Sequence, residues 1–232
     1  MQVGPYELDN VYQGDCLELM KQLPDKSIDL VLTDPPYGIG ESMKNHKSRG
    51  KYAFGGKSTT KQLAKGKDYG YSEWDKSPPP IEYFNELFRV SKNQVIFGGN
   101  YFNLPPSSCW IVWDKDNGDN DFADCELAWT SFKSAIRKFK WRKMGMLQED
   151  MKNKEVWQHP TQKPLPLFRW ILEKYTGSCD IVLDPFLGSG TTAVAAKQLN
   201  RRFLGFEINP VYVAIAEKRL NQEVLSQWTL TN

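Results

Sequence analysis

Ile181-Val182-Leu183-Asp184-Pro185-Phe186-Leu187-Gly188-Ser189-Gly190-Thr191-Thr192-Ala193 decides the fold. Ile181 to Leu183 read as a buried strand, the Pro and Gly that follow as a tight turn, and Thr191 onward as a helix. Gly188, Gly190 and Ala193 fit the spacing G-x-G-x-x-A. Glycines there let the backbone approach a ligand, and the free N–H groups at the helix start, around Ser189, Thr191 and Thr192, face an anionic group. Glu207 ends the next apolar run, where its carboxylate can accept from ribose hydroxyls. No Lys follows the second glycine, which excludes a phosphate-binding P-loop. The bland alternative is an ordinary strand–helix turn; the flanking strand, helix and acid weigh against it. The spacing leaves a nicotinamide cofactor and S-adenosylmethionine open. Asp184 favours the second, because a carboxylate suits a cationic ligand and sits badly beside a pyrophosphate.

Outward from this stretch, strands and helices alternate. Apolar runs at Ile28–Thr33, Gln94–Phe97, Trp110–Trp113, Glu126–Thr130 and Arg202–Phe206 read as strands. Helical spacing marks Cys16 to Leu23, Phe84 to Phe88, Phe168 to Tyr175, Thr191 to Leu199 and Val213 to Val224. The pattern predicts an α/β fold with a mainly parallel sheet. A chain of 232 residues is long enough for one large domain or two small ones. Two segments break the alternation: a basic loop, expected to be mobile, within residues 38–80, and a basic, aromatic stretch over residues 131–158.

Asp34-Pro35-Pro36-Tyr37 follows the Ile28–Thr33 strand. In open α/β sheets ligands bind outside the carboxyl ends of strands. Paired prolines remove two N–H donors and leave carbonyl acceptors. An Asp carboxylate, rigid carbonyls and an aromatic face suit a planar ring bearing an amino group. Such an amine is a poor nucleophile, because its lone pair is delocalised into the ring. Acceptors on both its N–H bonds favour a pyramidal nitrogen with a localised lone pair. A capped Pro-Pro turn is the plainer alternative.

Hydrophobic residues make up 40% of the chain and charged residues 25%, an ordinary globular balance. No apolar run is long enough for a membrane span, and the acidic, polar Met1–Asn10 is not expected to be a signal peptide. Four cysteines without CxxC pairing and two histidines argue for reduced thiols and against a zinc or other metal site. The net charge of +2 hides blocks. Lys133 to Lys154 carries eight Lys/Arg against two acids, Gly38 to Lys76 nine against four, and Asp114 to Glu126 one Lys against six acids. Segregated charge is the footprint that nucleic-acid binding needs. Lys133, Arg137, Lys138, Lys140, Arg142 and Lys143, interleaved with Phe132, Phe139 and Trp141, suit phosphate contact with some base contact. A solvated basic face is the alternative. Asp114 to Glu126 reads either as a polar loop facing the active site or as a solvated turn, and the turn is favoured.

Thr33-Asp-Pro-Pro-Tyr37, Asp184-Pro-Phe-Leu-Gly-Ser-Gly190 and His159-Pro-Thr-Gln-Lys-Pro164 together resemble the S-adenosylmethionine-dependent DNA amino-methyltransferases, in the motif order of the beta class. The resemblance spans about Asp9 to Leu225. It implies a Rossmann-like methyltransferase fold with a seven-stranded, mostly parallel sheet and helices on both faces. It implies methyl transfer to an exocyclic amine of a base flipped out of double-stranded DNA, directly and without a metal. Asp34 and the Pro35 carbonyl would accept from the amine, Pro36 would hold the turn, and Tyr37 would stack on the base. Phe186, Gly188 and Gly190 would line the cofactor and Asp184 would sit near its amino-acid end. Glu207 would bind the ribose, Thr161 and Lys163 the carboxylate, and Asp15 would lie near the adenine.

Asp at the head of the tetrapeptide is more typical of adenine-N6 than of cytosine-N4 enzymes; the N4 activity is the alternative. A catalytically silent DNA-binding subunit is a more distant one. The short 131–158 segment leaves target recognition to small loops or a second subunit, as a homodimer or companion chain. Such enzymes belong to the cytoplasm of a bacterial or phage-infected cell. Restriction-modification, phage self-protection and regulation all remain compatible.

Overall fold

A computed structural model describes residues 1–40, 75, 77–118, 123–144, 147–152, 155 and 162–230; for 144, 147 and 223–230 it describes the backbone alone. The chain divides into two compact units, Met1–Pro35 with Pro79–Asn232, and Pro36–Pro78.

The larger unit opens with strands β1 (Gln2–Val3) and β2 (Tyr6–Glu7), a small antiparallel pair. Then come β3 (Asn10–Gln13), α1 (Cys16–Met20), β4 (Ile28–Thr33), α2 (Ile81–Val90), β5 (Ser91–Phe97), β6 (Trp110–Asp114), β7 (Cys125–Thr130) and β8 (Arg137–Lys140). A second small pair, β9 (Lys143–Met144) and β10 (Leu147–Gln148), precedes α3 (Leu165–Tyr175), β11 (Ile181–Asp184), α4 (Thr191–Gln198), β12 (Arg202–Glu207) and α5 (Pro210–Leu230). The main sheet runs β3-β12-β11-β4-β5-β7-β6-β8. Its first five strands are parallel, β7 is antiparallel to both β5 and β6, and β8 lies parallel to β6.

That is eight strands where seven were expected. The added one is β8, inside the segment read as an insertion. Arg137-Lys-Phe-Lys140 carries one apolar side chain and borders the sheet, so it lacks the apolar run that marks a strand covered on both faces.

Helices cover both faces. Leu167, Phe168, Ile171 and Leu172 of α3, Ala193 to Ala196 of α4, and Ala216 and Leu220 of α5 pack on Leu30, Leu32, Val95, Phe97 and Val182. On the other face Met20 and Leu23 around α1 and Tyr83, Phe84, Leu87 and Val90 of α2 pack on Ile28, Val31, Ile96, Leu183 and Leu204. The alternation Leu30/Val31/Leu32 is the two-residue strand period, and both phases are apolar because both faces are covered. Helix α4 is buried nearly all round, and its run of alanines allows that close approach.

From β11 the strand order steps to β12 and β3 on one side and to β4 and β5 on the other. The reversal between β11 and β4 opens a crevice at their carboxyl ends, where doubly wound sheets bind ligands. Asp34 and Asp184 stand at those two ends. Among the described residues no helix is long and apolar enough to cross a membrane.

Candidate active site

Strands β4 and β11 pair in register Leu183↔Val31, which brings Asp34 and the glycine segment to neighbouring strand ends although about 150 residues separate them. Asp34 has 19% of its side chain exposed, and its Oδ2 lies 2.5 Å from the Nζ of Lys163, which is only 5% exposed. The same Nζ lies 3.0 Å from Glu126 Oε2, and Glu126 Oε1 lies 2.7 Å from Lys115 Nζ. The Phe97 ring flanks Lys163, its centroid 5.3 Å from the ammonium. Burial works to strip Lys163 of its proton, but Asp34 and Glu126 outweigh it and hold the ammonium above its ordinary pKa. Burial likewise works to raise Glu126, but Lys163 and Lys115 hold its carboxyl down to about 2. Lys163, read from the sequence as a cofactor contact, is thus placed on Asp34. Glu126 was missed: it looked like one acid in a solvated run.

The glycine turn is tied from within. Asp184 Oδ1 accepts from the Phe186 amide at 3.1 Å, and Oδ2 accepts from Thr192 Oγ1 at 2.5 Å. Burial pushes the Asp184 carboxyl up to about 7. Ser189 Oγ donates to Gln162 Oε1 at 2.9 Å. Arg219 Nη1 donates to Ser189 O at 2.7 Å and to Thr191 Oγ1 at 3.3 Å. The hydroxyls of Ser189, Thr191 and Thr192 therefore brace the turn. Gly188 and Gly190 have φ of 55° and 87°, the left-handed region that favours glycine. The Gly188 amide donates to Glu207 Oε2 at 2.7 Å, and the Asn209 amide to Oε1 at 2.8 Å.

Beside this turn lies a hollow lined by Gly14, Asp15, Cys16, Phe186, Glu207 and Ile208. Gly14 reaches it because β3 pairs with β12, and its amide donates to the Glu207 carbonyl at 3.0 Å. Asp15 caps α1: its Oδ1 accepts from the Leu17 and Glu18 amides at 2.9 and 3.2 Å. Ile208 went unread in the sequence, and Cys16, although part of the Gly14-Asp15-Cys16 element that resembles a family motif, was given no role of its own. Cys16 looked like helix core, and a single apolar residue after a strand carries no signal. Ile208 is 66% exposed beside Glu207, an apolar surface left open at the hollow's rim.

The basic segment departs from expectation. Lys138 Nζ lies 3.1 Å from Asp114 Oδ2 and Lys140 Nζ 2.9 Å from Asp116 Oδ1, and Arg142 also pairs with Asp116. Part of the basic block over residues 133–154 is thus neutralised in space by Asp114 and Asp116, because β8 lies directly alongside β6. The Asp114–Glu126 run is correspondingly not a solvated turn at Asp114, Asp116 and Glu126. Lys143 turns inward and donates to the Gln162 carbonyl; burial, with Lys163 beside it, pulls its pKa down to about 7. That is the wrong placement for a phosphate contact. Phe132, Phe139 and Trp141 pack against the core; Phe132 stacks on Tyr175 at 4.4 Å and Phe139 meets Trp170 at 5.3 Å. Lys133 and Arg137 remain exposed.

In the smaller unit the Asp75 carboxylate accepts from the Gly38 amide at 2.8 Å and its carbonyl from Gly40 at 3.2 Å. Pro36 and Tyr37 belong to that unit. Thr161, with His159 and Pro160, lies outside the described residues, as does most of the basic loop.

A family profile described as DNA methylase matches residues 28–218. The type II methyltransferase M2.MboI of Moraxella bovis is 28% identical over 96% of this chain and 93% of its own length. The type II methyltransferase M.HinfI of Haemophilus influenzae is 28% identical over 93% of this chain and 69% of its own. The crystal structure of an M1.HpyAVI–SAM complex superposes with a TM-score of 0.52 at 27% identity, covering 91% of this chain and 98% of that one. The cytosine-N4-specific PvuII DNA methyltransferase shares the fold, with a TM-score of 0.55 at 19% identity over 90% of this chain and 85% of its own.

Proposed function

The chain belongs to the N6/N4 DNA methylase family, and on that premise we propose that it transfers a methyl group from S-adenosylmethionine to the N6 amine of adenine in double-stranded DNA. The observation that carries this reading is the placement of Asp34 and the glycine turn at the carboxyl ends of adjacent strands on either side of the sheet's reversal.

The residues fit the cofactor. A Cβ built on Gly188 meets nothing within 4 Å, so the turn leaves space where a side chain would stand. The adjoining hollow offers the Phe186 ring and Ile208 to a flat base. Glu207 would accept from the ribose, since a carboxylate has about four acceptor sites and the Gly188, Asn209 and Ile208 amides leave capacity for one more. Gly188 lets the backbone come close and Gly190 makes room for Ala216 of α5, while Asp184, Ser189, Thr191 and Thr192 hold the turn's shape. When bound, the cofactor supplies an electrophilic methyl group on a sulfonium.

What this chain adds is position. The amine nitrogen would gain a bond to the methyl carbon as that carbon's bond to sulfur breaks, leaving a neutral thioether, and its surplus proton would pass through the Asp34 carboxylate to solvent. Asp34 accepts one N–H and the Pro35 carbonyl the other, which localises the lone pair for in-line attack. Tyr37 is assigned the stacking role on the flipped base. Holding the partners in line supplies most of the rate. Asp34 as the first residue of its tetrapeptide favours adenine over cytosine. Residues 131–158 and the 38–80 loop are assigned to DNA contact within one methyltransferase domain.

The test is to incubate the protein with S-adenosylmethionine and unmethylated duplex DNA, digest the DNA to nucleosides and weigh them. N6-methyladenine is expected. N4-methylcytosine alone would overturn the adenine assignment. No methylation by a protein that binds DNA would favour the silent-subunit reading.

A further inference from the structure

Asp34 is set against a buried lysine, and that lysine is held by a second acid from another strand. We propose that Glu126, on β7, is a positioning residue for methyl transfer: it anchors the Lys163 ammonium, and Lys163 in turn fixes the Asp34 carboxylate at the end of β4. The proposal rests on reading Asp34 as the acceptor for the amine.

Four charges alternate in a row. Asp34 Oδ2 is 2.5 Å from Lys163 Nζ, which is 3.0 Å from Glu126 Oε2, and Glu126 Oε1 is 2.7 Å from Lys115 Nζ. The row sums to zero, the arrangement that makes buried charge tolerable. Its parts come from the end of β4, the segment before α3, β7, and the residue after β6. The β6–β7 register Trp113↔Glu126 puts Lys115 and Glu126 on neighbouring strands, where the Lys115 amide also donates to the Asp124 carbonyl at 2.9 Å.

Lys163 carries a flexible four-carbon stem. With Asp34 as its sole anion it would follow Asp34 wherever that carboxylate moved. Glu126 gives the ammonium a second anchor, from β7, so that Asp34 engages a stationary charge. A stationary cation also keeps Asp34 ionised and therefore an acceptor while the amine approaches. Among the described residues, Asp34, Glu126 and Lys143 act on Lys163, Lys115 pairs with Glu126 and acts on Lys143 with Glu155, and the Phe97 ring of β5 flanks the ammonium.

The sign of the pH effect follows. Removing the Glu126 charge makes Lys163 easier to deprotonate, so the alkaline limb of activity moves to lower pH. Removing the Lys115 charge does the opposite to Lys163.

The experiment compares wild type with Glu126→Gln, Glu126→Asp and Lys115→Met. Single-turnover DNA methylation is followed against pH at saturating S-adenosylmethionine and DNA. The Lys163 side chain is titrated by NMR in the whole protein, with Lys163→Arg for assignment. For Glu126→Gln the expected result is a rate lower by about tenfold, below the ~10²–10⁴ that a proton-accepting group itself contributes. The alkaline limb and the Lys163 titration should move to lower pH together, and Glu126→Asp should recover part of both. Lys115→Met should move the Lys163 titration upward, which keeps the proposal testable if Glu126→Gln does not fold. An active wild type whose Lys163 titration and pH profile ignore both substitutions overturns the positioning role alone. A wild type that methylates no DNA overturns the functional reading and this role with it, whatever the titration shows.

Discussion

Glu207 accepts the Gly188 amide through Oε2 at 2.7 Å while its Oε1 accepts the Asn209 amide at 2.8 Å. One carboxylate thus joins the turn after β11 to the turn after β12, and it does so at the edge of the proposed cofactor hollow. Glu207→Gln should turn one acceptor into a donor facing an N–H. A hydrogen bond to a charged group is worth about 1.5–3 kcal/mol, so S-adenosylmethionine should bind roughly 10- to 100-fold more weakly. Calorimetric titration of the cofactor into the two proteins measures this. An unchanged Kd would remove Glu207 from the ribose and show that the turn holds without it.

The two glycines of that turn should fail in different ways. A Cβ on Gly190 would stand 2.8 Å from the Ala216 Cβ, against α5, whereas one on Gly188 meets nothing within 4 Å. Both alanine variants carry the cost of a left-handed residue, about 1–2 kcal/mol. Gly190→Ala adds overpacking of about 1–3 kcal/mol. It should therefore unfold at clearly lower urea than Gly188→Ala. Gly188→Ala should stay folded and lose cofactor affinity, because its methyl enters the space the ligand needs. Equal urea midpoints would contradict the packing argument.

Most of this architecture was readable because its strands are covered on both faces. Ile28 to Thr33, Ile181 to Leu183 and Arg202 to Phe206 are apolar runs for that reason. Strand β8 was not readable, since a border strand with Phe139 as its one apolar residue satisfies few of the cues. The Asp34–Lys163 pair joins residues 129 apart, which no spacing rule connects. Glu126 was hidden by composition. It sits in an acidic run whose members have different fates, decided by strand pairing: the Lys115–Glu126 contact depends on the β6–β7 register. Blocks of charge counted along a chain say little once neighbouring strands bring acid to base.

Stability should respond to pH through Asp184. Its carboxyl is raised from an ordinary 3.8 to about 7, first by burial. A group whose folded pKa is raised contributes stability that is complete below its unfolded value and lost as pH rises through the folded one. Asp184 therefore favours the folded state at pH 4 and loses that contribution by about pH 7, an effect of a few kcal/mol at about 1.4 per pKa unit. Glu207 and Glu155 are raised by burial too and act with the same sign. Glu126, held down to about 2, and Lys143, pulled down to about 7, act with the opposite sign, the first at and below the lower edge of this window and the second at its upper edge. Asp184→Asn should flatten the dependence between pH 4 and 7, measured by urea unfolding across that range. A slope equal to wild type would show that Asp184 titrates normally.

DNA contact should fall on different residues from those the charge count favours. Lys138, Lys140 and Arg142 are paired with Asp114 and Asp116, whereas Lys133 and Arg137 are exposed. Exposed pairs are worth about 0–1 kcal/mol, so a phosphate can compete for these side chains, but each acid offsets part of the gain. Lys133→Ala with Arg137→Ala should lower the slope of log affinity against log salt by about 2, close to one per lost phosphate contact. Lys140→Ala with Arg142→Ala should lower it by less. Asp116→Ala, which releases both Lys140 and Arg142, should raise duplex affinity. Fluorescence anisotropy with a labelled duplex between about 50 and 200 mM salt resolves all three. If the Lys140/Arg142 variant loses the larger slope and Asp116→Ala changes nothing, the aspartates do not mask the strand, and β8 itself meets the backbone.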